Sequence, residues 1–212
     1  MKGILLTGGT GSRLKPYTNY INKHLLTVAG RPMIEYPLEQ LWSAGVGTDD
    51  IAVIYNDPRM LYLSTYHAAK FTYIWQHEPL GIAQAVYLAK DFVKNEPFLV
   101  MCGDNYFSDQ LKPTKPPQVW AAEIPNRGLT ILGAYYFDKR FFEIFPTIKK
   151  SARGEYEMAS IINQYGSVEI TQVESEKWVD MGTEEGIRAV EKLAPGMPIL
   201  ALTAGPNSGG FD

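Results

Sequence analysis

Residues 4–16 read ILLTGGTGSRLKP, a short apolar run that leads directly into a glycine-rich loop. The apolar run predicts a buried strand. Gly8, Gly9 and Gly11 allow the following loop to turn tightly and to bring its N–H groups against phosphate oxygens. Arg13 adds a fork of donors that can neutralise and orient such phosphates. We therefore expect a nucleotide-binding site at the end of this strand.

The composition is that of an ordinary globular protein without a strongly charged surface. The chain has 212 residues, of which 45% are hydrophobic and 20% are charged, with a net charge of −3. This length suits one substantial domain, and the charge argues against nucleic-acid and anionic-membrane partners. Cys102 is the single cysteine, which excludes an internal disulfide framework and a cysteine-rich zinc site. Because neither a signal-peptide pattern nor a membrane-length apolar stretch is found, the expected location is cytoplasmic.

Short apolar runs alternate with segments of helical periodicity, which is typical of an α/β sheet. The predicted strands cover residues 4–6, 51–55, 71–75, 98–101, 119–122, 129–137 and 168–173, and the predicted helices cover residues 32–44, 81–92, 141–145, 158–165 and 184–193. The loop at residues 76–80 follows a strand, at the edge where open α/β sheets bind ligands.

We expect one domain over residues 1–193, with a nucleotide half at about 1–110 and an acceptor half at about 111–193. Residues 194–212 are rich in glycine and proline and are expected to form a loosely held extension.

Two features point towards a dinucleotide-binding dehydrogenase, and both are weak. Gly9-x-Gly11 begins the dinucleotide fingerprint, but Leu14 stands where the third glycine should allow close helix packing. Tyr66 and Lys70 have the spacing of a short-chain dehydrogenase pair but lie far too early in the chain for that catalytic helix. A helix surface explains this pair better, so an NAD-dependent oxidoreductase is disfavoured.

Two acidic residues are candidates for a metal site. Asp104 follows a predicted strand, and Asp180 precedes a predicted helix. With a phosphate loop between them, two carboxylates suit Mg²⁺, which takes one or two carboxylates and phosphate oxygens. Each aspartate also has a structural interpretation, in a turn or at a helix start. Lys23 would be solvated if taken alone, but with Arg13 it supplies a second cation for an acceptor's phosphate.

Six motifs occur in the order found in one enzyme family. They lie at residues 8–14 with Pro16, residues 23–26 with 32–34, residues 81–85, residues 103–105, residues 152–155 and residues 178–183. On these motifs the chain resembles the sugar-1-phosphate nucleotidylyltransferases, and among them most of all the glucose-1-phosphate thymidylyltransferases. The resemblance reaches to about residue 193 and implies a Rossmann-like nucleotidyltransferase fold, with a mixed, mostly parallel sheet flanked by helices. It also implies a reaction between a nucleoside triphosphate and a phosphorylated acceptor that releases pyrophosphate.

The resemblance implies a role for each matching residue. Arg13 and Lys23 match catalytic cations, and Asp104 and Asp180 match the ligands of Mg²⁺. Nucleotide binding is implied for Gly8, Gly9, Gly11, Arg13, Gln76 and Gly81, and acceptor binding for Lys23, Asn105, Glu123, Gly133, Tyr135, Arg153 and Trp178. The resemblance allows for a homo-oligomer, while the residues themselves leave the oligomeric state open.

The acceptor half departs from the family's pattern. The chain is shorter between Asn105 and Gly133, and Ile124 stands where the family has a lysine that touches the sugar phosphate. The acceptor is therefore less well defined than the nucleotide, for which the amide of Gln76 favours thymidine or uridine. Two other interpretations stay open. One is a homologue that binds a sugar nucleotide without turning it over, and the other is a glycosyltransferase in which Asp104 holds Mg²⁺ under a diphosphate sugar.

Overall fold

The computed structural model describes residues 1–67 and 69–194. Of the extension expected at residues 194–212, all but Ala194 lies outside the described residues. Among the helices that are described, none has both the length and the apolar character needed to cross a bilayer.

The described part of the chain contains both β-strands and α-helices. The strands are β1 Lys2–Leu6, β2 Thr27–Val28, β3 Arg31–Pro32, β4 Ile51–Tyr55, β5 Thr72–Trp75, β6 Phe98–Cys102, β7 Asn105–Phe107, β8 Gln118–Ile124, β9 Gly128–Phe137, β10 Glu169–Gln172 and β11 Trp178–Asp180. The α-helices are α1 Glu35–Ser43, α2 Leu63–Tyr66, α3 Ile82–Tyr87, α4 Lys90–Val93, α5 Arg140–Ile144, α6 Met158–Gln164 and α7 Glu184–Leu193.

A seven-stranded sheet forms the centre of the protein, with its strands in the order β10-β8-β9-β6-β1-β4-β5. β1 pairs in parallel with β4 and β6, and the pairs β4–β5 and β8–β10 are also parallel. β9 runs antiparallel to both β6 and β8. Because β1, β4, β6 and β8 all point the same way, their carboxyl ends lie at one edge of the sheet.

Helices pack against both faces of this sheet. On one face, Val100 of β6 joins Val86 of α3 in a buried cluster that also includes residues of α4, α5 and α6. On the other face, Leu5 of β1 joins Leu38 of α1 in a second cluster. The central strands are therefore buried on both sides, which explains why they appear in the sequence as continuous apolar runs.

β7 and β11 form a separate antiparallel ribbon in which Asp180 pairs with Asn105. A third buried cluster, which contains Leu14, Met181 and Val190, packs beside this ribbon. Leu14 belongs to the glycine-rich loop and Val190 to α7, so the cluster joins distant parts of the chain next to the end of β1.

The predicted fold class is confirmed, since the sheet is mixed, mostly parallel and flanked by helices. The predicted strands are present, but the helix expected at residues 81–92 is divided between α3 and α4. The helix expected from residue 32 begins at Glu35, because Arg31 and Pro32 form β3. The short strands β2, β3, β7 and β11 were not predicted. The sheet takes strands from both halves of the chain, and the division into nucleotide and acceptor halves stays a prediction.

Candidate active site

The glycine-rich loop leaves the sheet at the carboxyl end of β1. Gly9 and Gly11 have φ angles of +103° and +63°, in the left-handed region that glycine adopts without strain. Leu14 is fully buried and anchors the turn that follows, whereas Arg13 is exposed. The hydroxyl of Thr18 donates to the carbonyl oxygen of Gly11 at 2.8 Å. Leu14 and Thr18 thus hold the loop against the protein, and Arg13 points into solvent.

A largely buried ion pair joins Lys23 to Asp104 beside the loop. Nζ of Lys23 lies 2.5 Å from Oδ2 of Asp104, and neither side chain is more than 15% exposed. Burial acts to raise the pKa of the Asp104 carboxyl, but the Lys23 charge overrides it and brings the pKa from 3.8 down to about 2. Nζ of Lys23 also lies 3.7 Å from the place a side chain on Gly9 would take. Lys23 therefore keeps Asp104 ionised and lies against the loop.

His24 supports the turn that carries Asp104. Its ring is buried and lies so close to Gly103 that a side chain there would come within 2.7 Å of Cδ2. Nδ1 of His24 is 2.8 Å from Oδ1 of Asn22. Burial lowers the pKa of His24 to about 3, so the imidazole is neutral near pH 7.

Arg13, Asp104 and Asp180 converge on Gly182. Oδ2 of Asp180 lies 3.5 Å from Nη2 of Arg13, and Oδ1 of Asp180 accepts from the N–H of Gly182 at 2.8 Å. A side-chain carbon at position 182 would lie 2.7 Å from Arg13, 2.8 Å from Asp180 and 3.3 Å from Asp104. Because residue 182 has no side chain, there is space for these three charged groups to approach one another. They come from the loop after β1, the turn after β6 and the end of β11.

The two carboxylates suit a divalent cation whose other ligands come from a bound molecule. Oxygens of Asp104 and Asp180 approach the same point beside Gly182. Within residues 1–67 and 69–194, no group of three or more His, Cys, Asp and Glu side chains is placed to enclose a metal. Mg²⁺ needs fewer protein ligands, because it retains water and takes phosphate oxygens. The donor set thus fits Mg²⁺ together with a phosphorylated ligand.

A cavity of about 260 Å³ opens beside the ion pair, and its lining includes Gly8, Gly9, Lys23, Gln76, Gly81 and Asp104. Gly81 has a φ of +99°, and a side chain there would lie 2.7 Å from the carbonyl oxygen of Tyr156. Only glycine fits this close approach at the start of α3. Four of the residues expected to bind a nucleotide, Gly8, Gly9, Gln76 and Gly81, thus share one cavity. Gly11 and Arg13 lie in the adjoining loop.

Three of the residues expected to bind the acceptor form one hydrogen-bonded group. Oδ1 of Asn105 accepts from the indole N–H of Trp178 at 2.6 Å and from the backbone N–H of Gly133 at 3.2 Å. Nδ2 of Asn105 donates to Oδ1 of Asp104 at 3.0 Å. The group therefore links β9 and the β7–β11 ribbon to the carboxylate of Asp104.

Of the other residues expected to bind the acceptor, Lys23 adjoins this group through Asp104, and the remaining three have no hydrogen bond to it. Tyr135 is buried in the core, where its ring stacks on Phe137 and burial raises the pKa of its hydroxyl. Glu123 is exposed near the end of β8. Arg153 is exposed and paired with Glu157 at 2.9 Å. Their proposed contacts with an acceptor stay predictions.

Gln84 is close to the candidate site, although its sequence pattern indicated no role for it. Oε1 of Gln84 accepts from Nε2 of the buried Gln76 at 2.8 Å. The signals in the sequence were its place in the motif at residues 81–85 and in the first turn of the predicted helix. Contact with Gln76 depends on how α3 packs against the end of β5, which sequence spacing does not specify.

The comparisons with known proteins agree on one family. The model of the nucleotidyl transferase family matches residues 2–116. A relative from Haloferax volcanii, the low-salt glycan biosynthesis nucleotidyltransferase Agl11, is 30% identical over 91% of this chain and 66% of its own length. The chain thus spans about two thirds of that relative. The glucose-1-phosphate thymidylyltransferase of Neisseria meningitidis is 31% identical over 88% of this chain and 80% of its own length.

Two solved structures share the fold of this chain. A Bacillus anthracis protein described as a glucose-1-phosphate thymidylyltransferase, solved with sucrose, superposes with a TM-score of 0.81 at 32% identity. The match covers 93% of this chain and 96% of that one. UDP-glucose pyrophosphorylase from Acinetobacter baumanii has a TM-score of 0.74 at 16% identity and covers 90% of this chain and 92% of its own, which shows a shared fold.

Proposed function

The chain belongs to the nucleotidyl transferase family, and from this premise we propose that it joins dTTP or UTP to a sugar 1-phosphate. The family membership and the nucleotidyltransferase activity expected from the resemblance are confirmed by the family model and the relatives. The base, the sugar, the metal and the residue roles are proposals. The metal and the residue roles are supported by one observation above all, the convergence of Arg13, Asp104 and Asp180 beside the cavity.

The proposed reaction is an in-line displacement at the α-phosphorus of the triphosphate. An oxygen of the acceptor's phosphate forms the new bond, and the bond between the α-phosphorus and the bridging oxygen breaks as pyrophosphate leaves with the electron pair. A phosphate monoester is already ionised near pH 7, so the reaction needs no general base. Catalysis then consists of positioning and charge neutralisation.

The two cations have different places and therefore different proposed tasks. Lys23 lies inside the cavity between Gly9 and Asp104, where it would hold the phosphate of the acceptor against the α-phosphate. Arg13 is exposed in the adjoining loop, where its donors would grip the departing phosphates. The loop backbone at Gly8 and Gly9 would support the nucleotide between them.

Asp104 and Asp180 would hold Mg²⁺ in this proposal. The metal would neutralise charge on the bound phosphates. Asp104 contributes a carboxylate that Lys23 keeps ionised, and the N–H of Gly182 fixes one oxygen of Asp180. The Asn105 amide holds the remaining oxygen of Asp104 in place. These contacts set the two carboxylates before any ligand arrives.

Fewer observations support the identity of the acceptor than support that of the nucleotide. At position 124 the family's sugar-phosphate lysine is replaced by Ile124. Arg153 is engaged by Glu155 and Glu157, and Lys112 lines a different cleft, next to Trp120. We propose a sugar 1-phosphate on the strength of the relatives, and a homo-oligomer without nucleic-acid or membrane partners stays a prediction.

The test is a substrate panel with released pyrophosphate as the readout. The protein is incubated with Mg²⁺, each nucleoside triphosphate in turn and a set of sugar phosphates. We expect release with dTTP or UTP and a sugar 1-phosphate. No release with any pair would contradict the proposed transfer and support the interpretation as a binding homologue.

Substitution of the metal ligands tests their assignment separately. Asp104→Ala and Asp180→Ala should each abolish pyrophosphate release, while the circular dichroism spectrum stays that of the parent. Asp91→Ala, at an exposed position in α4, is the matched control and should keep full activity. Undiminished release by either ligand variant would remove that residue from the metal site.

A further inference from the structure

The amide of Gln76 is hydrogen-bonded to the amide of Gln84, which lies in the first turn of α3. Nε2 of Gln76 donates to Oε1 of Gln84 at 2.8 Å. Gln76 is 4% exposed, so water does not readily replace this bond if it is lost. With its nitrogen turned towards Gln84, Gln76 presents Oε1 to Gly8, at 3.0 Å from where a side chain on Gly8 would begin. Gly8 lines the cavity, so an acceptor oxygen faces the proposed nucleotide site.

The orientation of a glutamine amide decides which pyrimidine it can match. The amide has an acceptor oxygen on one side and a donor nitrogen on the other. Thymine and uracil carry a ring N–H between two carbonyl oxygens. Cytosine has at that place a ring nitrogen that accepts hydrogen bonds. An acceptor oxygen fixed towards the base therefore suits the ring N–H of thymine or uracil, and opposite cytosine it would meet another acceptor.

The place of Gln84 in the fold is fixed by the same glycine that lines the cavity. Gly81 precedes α3, and its carbonyl oxygen accepts from the N–H of Ala85 at 3.1 Å. The N–H of Ala83 donates to the carbonyl oxygen of Tyr156 at 3.3 Å. The first turn of α3 is therefore tied down on both sides of Gln84.

We infer that Gln84 is a positioning residue that selects thymine or uracil over cytosine by fixing the amide of Gln76. The inference rests on the proposed function, because it assigns the base in the same site. Gln84 acts through Gln76, and its contribution is to specificity.

The experiment compares kcat/KM for UTP and for CTP, with glucose 1-phosphate and Mg²⁺, in the parent protein and two variants. Gln84→Leu removes the acceptor and keeps a similar volume, so the UTP to CTP ratio should fall by about tenfold, the worth of one hydrogen bond. Gln84→Glu retains an acceptor oxygen and should keep the ratio within about twofold of the parent. Gln164→Leu, at an exposed position in α6, is the control and should leave the ratio unchanged.

A merely structural role for Gln84 gives a different result. It would lower kcat/KM for both triphosphates equally and leave their ratio as in the parent. That outcome, or a parent protein that uses UTP and CTP equally well, would overturn the inference while the proposed transfer stands.

Calorimetry separates failure of the inference from failure of the proposed function. If no triphosphate supports transfer, the ratio of the dissociation constants of UTP and CTP in Mg²⁺ replaces the kinetic ratio. A fall of that ratio in Gln84→Leu supports the inference even then. An unchanged ratio overturns it, and binding of neither triphosphate overturns both proposals.

Discussion

Asp104 is ionised although its burial opposes ionisation, because the charge of Lys23 stabilises the carboxylate. The pair is close and largely withdrawn from solvent, so removal of either partner would leave the other charge buried without compensation. The amide of Asn105 adds a donor to the second oxygen of Asp104. The folded state therefore favours the ionised carboxylate, and its stability must depend on pH.

The depressed pKa of Asp104 predicts a loss of stability in acid. Its pKa is 3.8 in the unfolded chain and about 2 in the folded protein, so the contribution is complete above about pH 5 and disappears as the pH falls through 2. The difference in the free energy of unfolding between the parent and Asp104→Asn should therefore be about 1 kcal/mol smaller at pH 3 than at pH 6. Near pH 2 it should be about 2 kcal/mol smaller than at pH 6.

Urea unfolding at several pH values measures this difference, and comparison with Asp104→Asn cancels the titration of the other carboxylates. If the difference in unfolding free energy between the two proteins is the same at pH 6 and at pH 2, Lys23 does not depress the pKa of Asp104.

Single residues of the site were predictable where their chemistry is local. Three glycines and Arg13 in one short loop indicate a phosphate-binding turn without knowledge of the fold. The hydrogen bond from Trp178 to Asn105 joins residues 73 positions apart, and that from Gln76 to Gln84 depends on helix packing. Neither leaves a periodic signal in the sequence. The contact of Arg13 with Asp180 was not predicted, although the sequence indicated Asp180 as one of two metal ligands on either side of the phosphate loop.

Among the elements, the β7–β11 ribbon escaped prediction because each strand has three residues. Three residues are too few to show the alternation by which strands are recognised. The ribbon nevertheless places Asp180 beside Asn105, and α7 follows directly after it. The hydroxyl of Thr183 caps α7 by accepting from the N–H of Gly186 at 3.1 Å. Ribbon and helix thus act as one support for the second carboxylate.

Gly186→Ala tests this support at the scale of the element. Alanine is the better helix former by about 1 kcal/mol, so propensity alone predicts stabilisation. A methyl group at position 186 would, however, overlap the carbonyl oxygen of Asp180 and come within 3.2 Å of the Cα of Met181. We expect a net destabilisation on the order of 2 kcal/mol, because overpacking outweighs propensity, and reduced pyrophosphate release because Asp180 moves.

Urea unfolding and the pyrophosphate assay measure the two effects. Glu185→Ala, at the exposed neighbouring position, is the control and should change neither. A Gly186→Ala protein as stable and as active as the parent would show that α7 does not pack tightly on the end of β11.

For the molecule as a whole, the sheet was predictable because its central strands are buried on both faces. β1, β4 and β6 consist of apolar runs bounded by turns, and the helices between them have regular periodicity. The break between α3 and α4 was missed, since the apolar positions continue through Leu88 and Ala89 without interruption.

The residue at position 124 in the acceptor half allows a prediction about binding of the sugar phosphate. By resemblance, a lysine at position 124 touches the sugar phosphate, and here that position is Ile124, partly buried at the end of β8. Ile124→Lys should lower KM for a hexose 1-phosphate by about tenfold, the worth of one charge-assisted hydrogen bond, and leave KM for the triphosphate unchanged.

Steady-state kinetics with each substrate varied in turn measure this effect. Ile131→Lys adds the same charge at an exposed position on β9 and should leave both values unchanged. If KM for the hexose 1-phosphate does not move in Ile124→Lys, the acceptor's phosphate lies elsewhere in this protein.

Arg13 and Asp180 meet across 167 positions of the chain. A ribosome synthesises the chain from its amino terminus. The strands β6, β1, β4 and β5 are neighbours in the sheet, and they pair with one another without the later strands. The glycine-rich loop is therefore synthesised before the second carboxylate, which follows Arg13 by 167 positions. A translation product that stops between β6 and β11 would carry a loop for phosphates and only one of the two aspartates. Under the proposed roles, such a fragment would bind a triphosphate but would lack one ligand of the metal that the transfer requires.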